Sequence, residues 1–152
     1  MHPQLASLFN EAESRYLKSD EIKVIGQYVA SLPERLDTYR TLRDHEMEIM
    51  QAVVDQLQAE FPQESEETLE RCIKHALLML RQCALSLLVN DEAIVQHRFL
   101  DWVKPLSKIY DTKAIDSKLY RLLNQQLAKA LSPKQLSHLS PSLSLAQDGL
   151  LS

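Results

Sequence analysis

Residues 69 to 91, LERCIKHALLMLRQCALSLLVND, constrain this chain more than any other stretch. From Ala76 to Val89 the run is apolar on nearly every face. Only Arg81, Gln82 and Ser86 interrupt it, and it contains neither Gly nor Pro. A helix that is hydrophobic all round belongs inside a larger fold, because a surface helix keeps a polar stripe. The run is too short and too interrupted to span a bilayer, which takes about 20 consecutive apolar residues. It therefore reads as a central buried helix. Both cysteines, Cys72 and Cys83, lie on it. At a rise of about 1.5 Å per residue they are roughly 16 Å apart, too far for a disulfide. They read as thiols or attachment points.

Helices account for the rest. Two glycines and six prolines in 152 residues, with abundant Leu, Ala, Gln and Glu, leave little material for turns or strands. A chain of this length is expected to be one domain with a proper core. A net charge of −4 argues against nonspecific nucleic-acid binding, which rests on Lys and Arg neutralising phosphates. No signal peptide or long apolar run is evident, so the expected location is the cytoplasm or its membrane face.

In order, a first amphipathic helix is expected over 4–17, with Leu5, Leu8, Phe9, Ala12, Tyr16 and Leu17 on one face. Ser19, Asp20 and Glu21 read as the capped start of a second helix, 20–31. Leu32-Pro33 marks a break, since the residue before proline is pushed from helical angles. A long charged helix follows over 34–61, with a bend or two abutting helices expected around Arg43 to Glu46. Ser65, followed by Glu66 and Glu67, starts the central helix. A fifth helix covers 92–103 and should stop or kink at Pro105. A sixth lies near 115–131. The Ser-rich tail 132–152 reads as a short helix, 133–139, and an irregular, partly packed end. The domain itself is expected over 1–131.

The residues Cys72, Leu80, Arg81 and Asp91 now support a comparison. The segment CIKHALLMLRQCALSLLVND resembles the chromophore helix of phycobiliproteins, whose pattern runs Cys-x-Arg-Asp, two aromatics, Leu-Arg, an apolar stretch and Gly-Asp. Upstream, Tyr16-Leu17, Tyr28 and Leu36 match the family's N-terminal helix pair and first globin-like helices. Downstream, Arg98-Phe99-Leu100-Asp101 and the terminal DGLLS match as well. The chain is identified as a divergent member of the phycobilisome protein superfamily over about 130 residues. The resemblance implies an all-α, globin-like fold with an N-terminal helix pair and a truncated C-terminal helix. It also implies a dimer contact through that pair, with Tyr16, Leu17, Ile25 and Tyr28 as interface residues.

The departures bear on pigment. In the resembled family the cysteine is thioether-linked to a linear tetrapyrrole, and an aspartate three residues on binds the pyrrole N–H groups. Here Cys72 is kept, but His75 stands at the aspartate position, Lys74 replaces the arginine and Leu78-Met79 replace the aromatic pair. Neutral His75 can accept one hydrogen bond but supplies no carboxylate. Cys72, His75, Arg71 and Lys74 thus form a vestigial bilin site, with Arg71 and Lys74 as propionate partners or simply solvated charges. Cys72 alone also reads as an ordinary buried thiol, and Cys83 more so. Phe99 and Trp102 read as core or interface anchors. Cys72-x-x-His75 has metal-like spacing but no second pair, so no metal is expected. Phosphate loops, nucleophile elbows and paired catalytic carboxylates are not found, and no enzyme is expected.

Three functions follow. The favoured one is a non-catalytic interaction or assembly module on antenna or photosystem complexes, at the cytoplasmic face of the thylakoid and without a working bilin. The second is a light-harvesting subunit with a phycocyanobilin-type pigment on Cys72. The third is a globin-like heme sensor using His75 or His97.

Overall fold

The computed structural model describes residues 2–152, and every regular element among them is helical. Helix α1 spans Pro3–Ala12, α2 Ser19–Glu60, α3 Glu66–Val89 and α4 Ala93–Val95. A π-helical segment, Gln96–Leu100, leads into α5, Asp101–Ile109. Helices α6, Lys113–Ala130, and α7, Pro133–Leu151, complete the chain.

The stretch 69–91 sits where its composition demands. Helix α3 packs against α2, α6 and α7, and buries Leu69, Cys72, Ala76, Met79, Leu80, Cys83, Ala84 and Leu87. By length and composition it could cross a membrane, but that test is also passed by the core helix of a globular protein. Ser65 caps it as expected, its Oγ accepting the Thr68 N–H at 3.1 Å. Asn90 ends it in the left-handed conformation, φ 53°, which a short polar side chain tolerates.

Several boundaries differ from expectation. Helix α1 ends at Ala12 rather than at 17, because short bonds from Glu13 N–H to Asn10 and from Ser14 N–H to Glu11 tighten the last turn. Ser19 is the first residue of α2, not its cap. The start is held instead by Glu21, whose carboxylate accepts the Lys18 N–H at 2.8 Å and is gripped by Arg15 at 2.8 Å. That ion pair and hydrogen bond hold the Glu21 carboxyl down at about 2.

The expected break at Pro33 is absent, and no new helix begins near Arg43: α2 runs through both positions for 42 residues. Proline removes one N–H bond and crowds the carbonyl four residues back. Both Pro33 and that residue, Val29, face solvent, so water satisfies what the helix loses. Helix α5 likewise continues through exposed Pro105, five residues after the end of the π-helical segment.

The tail departs furthest. Residues 133–151 form one helix, not a short helix with an irregular end. Ser132 and Gln135 make reciprocal capping bonds, and Pro133 occupies the first turn, where its missing N–H costs nothing. Leu139, Ser142, Leu143, Ala146 and Gln147 then fall on one face and are buried against α3 and α6. Gln147 and Asn124 exchange amide bonds at 2.8 and 3.0 Å, tying α7 to α6. At Gly149 the helix comes so close to Leu100 that an added Cβ would lie 2.7 Å from its side chain. Regular leucine spacing outweighs the serines and Pro141.

Candidate functional site

Three residues from the first turns of α3 meet the α5–α6 connection. Cys72 and His75 are one turn apart on the same face of α3 and look toward Asp116 of α6. The Cys72 thiol is 2% exposed and lies beside Thr112 and Asp116. Thr112, at the start of α6, donates its hydroxyl to the Asp116 carboxylate at 3.0 Å. Tyr120, one turn further along α6, is buried beside the same pair. Above them the Arg71 guanidinium lies 3.7 Å from the centre of the Tyr110 ring, a cation–π contact that joins α3 to the end of α5.

The electrostatics follow from burial. Loss of solvent, followed by the field of Asp116, pushes the Cys72 thiol up to about 11. Asp116 itself is raised above the ordinary carboxylate range by burial, against hydrogen bonds from Thr112 and Cys72. Burial lowers His75, with Asp116 opposing and Arg71 adding to the effect. Tyr120 is driven upward by burial and by the Asp116 charge. At neutral pH Cys72 is therefore a protonated thiol, and a thiol is a far poorer nucleophile than a thiolate.

The four residues singled out from sequence separate here. Cys72, His75 and Arg71 belong to this cluster. Lys74 does not: it is exposed and pairs with Glu70 at 2.9 Å. Asp116 was missed. It does carry a sequence signal, because it falls in register with Tyr120, Leu123 and Leu127, a carboxylate on the core-facing stripe of α6. Cys83 is fully buried beneath Ser142 and plays no part. Phe99 is fully buried whereas Trp102 is 72% exposed, so the two divide between core and surface. His97 is on the surface, 3.3 Å from Asp101. Among the described residues, no cluster of three or more His, Cys, Asp and Glu side chains suited to a metal occurs.

The second candidate region is the N-terminal helix pair. Tyr16, in the turn before α2, is 99% exposed, while Leu17, Ile25 and Tyr28 are half-buried. Tyr28 is partly committed inward, its hydroxyl 3.5 Å from the Val89 carbonyl. The large exposed apolar residues on the first half of α2 are Ile22, Val29 and Leu36, each seven residues from the last. Ile25, Leu32 and Tyr39 run beside them with the same period and are half-buried.

A comparison with protein families matches the phycobilisome protein family over residues 9–142, which includes both regions. The chain belongs to the phycobilisome protein family. Among curated proteins none matches it. Membership accounts for the all-α, globin-like fold and makes a bilin on Cys72 the first question for this phycobilisome-family chain. As folded, the side chains do not fit one. The sulfur is enclosed, and Asp116 directs its acceptors to Thr112 and Cys72 rather than to an incoming pyrrole N–H. The neighbouring position on α3 offers His75, not a carboxylate.

Proposed function

We propose that this phycobilisome-family protein is a non-catalytic interaction or assembly module on antenna or photosystem complexes, working without a functional bilin at the cytoplasmic face of the thylakoid. The observation that carries the reading is the seam on the first half of α2. Ile22, Ile25, Val29, Leu32, Leu36 and Tyr39 alternate spacings of three and four residues, the a/d pattern by which one helix packs along another. Ile22 and Val29 are each 56% exposed, and Tyr16, in the turn before α2, is fully exposed. Burying such a stripe against a partner helix is the main favourable term available to this surface. The charges around it, including Asp20, Lys23 and Arg40, set orientation and rate more than affinity.

A pull-down from thylakoid membranes tests this. Wild type is expected to retain phycobilisome or photosystem subunits, identified by mass. The triple variant Tyr16→Ser, Ile22→Ser, Val29→Ser is expected to lose at least about tenfold in capture, as when apolar anchors at the centre of an interface are removed. Met47→Ser removes an 84%-exposed apolar side chain elsewhere on α2 and should leave capture unchanged. Equal capture by the triple variant would remove the N-terminal face from the account.

A further inference from the structure

Among the described residues, Arg35 stands apart from the other cations. It is only 4% exposed and, although it lies on the mostly solvated helix α2, no carboxylate among the described residues pairs with it. Its Nε donates to Ser31 Oγ at 3.1 Å, and Nη2 bonds the same oxygen. The Tyr28 ring lies 4.7 Å from the guanidinium carbon and gives the charge a π face, and Tyr28 partly offsets the cost of burying that charge. Nη1 is buried and has no hydrogen-bond partner among the described residues. The adjacent carboxylate in sequence, Glu34, is held elsewhere by Lys134 at 2.5 Å and His138 at 3.2 Å.

A guanidinium stays charged, so burying it with Nη1 unbonded and no counter-charge is costly, and the cost falls when an anion supplies the missing partner. Room for one exists. Arg35 lines a cavity of about 180 Å³ between α1, α2 and the end of α3, together with His2, Gln4, Gln27, Tyr28 and Asn90. Apart from Tyr28, these neighbours bring amide and imidazole groups able to donate. The planar fork of the guanidinium matches two oxygens on one carbon. Among the described residues the site carries one permanent positive charge, that of Arg35, which one monoanionic carboxylate neutralises and a doubly charged phosphate would exceed.

We propose that this cavity is a binding site for one carboxylate group, received on Nη1 of Arg35. The carboxylate comes either from a small free acid or from an aspartate side chain of a docked protein, and the chemistry at Arg35 is the same. The inference does not depend on the assembly role proposed above.

Nitrogen-15 NMR of the full chain tests it with two probes, sodium acetate and a blocked aspartate, N-acetyl-aspartyl amide. Each is titrated at constant ionic strength against sodium chloride, following the Arg35 Nε–H signal and the Gln27 and Asn90 side-chain amides. A saturable shift of these signals with acetate alone supports the site and assigns it to a free acid. Saturation with both probes supports the site and admits a side chain. No saturable shift with either, or the same titration of Gln27 and Asn90 in Arg35→Gln, overturns the proposal. The wild-type titration reads Arg35 directly, so it stands even where that variant folds poorly.

Discussion

Ending the chain at Ser132 is expected to abolish cooperative folding. Helix α7 looks dispensable from its serines and prolines, but it contributes Leu139, Leu143 and Ala146 to the core that surrounds α3. Full burial of each leucine contributes roughly 1.5–3 kcal/mol. Leu136, Leu145 and Leu150 pack against the same core less completely. Removing the helix also bares the faces of α3 and α6 that it covers. The summed loss is comparable with the whole stability of an ordinary domain, about 5–15 kcal/mol. Thermal melts followed by circular dichroism should therefore show a sharp transition for the full chain and none for the truncated one. Leu139→Ala provides the graded form of the test, with an expected loss of about 2–5 kcal/mol. A truncated chain that melts as sharply and as high as the full one would mean that α7 is an accessory.

The second large effect is expected at Phe99. It lies in the π-helical segment and is fully buried, whereas Trp102, three residues on, is 72% exposed. The wider π turn carries one extra residue per turn and so shifts which side chains point inward. It directs Phe99 and Leu100 into the core while the following helix presents Trp102, Leu106 and Ile109 outward. Phe99→Ala should cost about 3–5 kcal/mol by urea unfolding, the range for an aromatic removed from a close-packed interior. Trp102→Ala should change stability by no more than about 0.5 kcal/mol, as for a surface position. Equal costs at the two sites would contradict the inward and outward assignment.

Much of this was legible in the sequence. The all-round apolar stretch 69–91 placed α3 at the centre, and collinear matches from Tyr16 to Asp101 gave the family. Prolines misled in the same direction at positions 33, 105 and 141, where each reads as a boundary and each lies inside an observed helix. All three are exposed, so the carbonyl that loses its partner still reaches water, and packing of the flanking turns decides the outcome. The site was half legible. Cys72 and His75 follow from helical spacing, but the carboxylate beside them comes from α6, some forty residues away, and no local pattern in α3 announces it. Arg35 was hidden for the same reason. From sequence it is one of several arginines on a charged face, and only the fold shows that it is buried with no acid paired to it among the described residues.

The central claim is that this phycobilisome-family chain has kept the fold without a working pigment. The most direct measurement is the absorption spectrum of the protein purified from its native host, with zinc-enhanced fluorescence on a denaturing gel beside it. The account predicts no visible band and no fluorescence, in wild type and in Cys72→Ala alike. A covalent visible band in wild type that Cys72→Ala abolishes would contradict it.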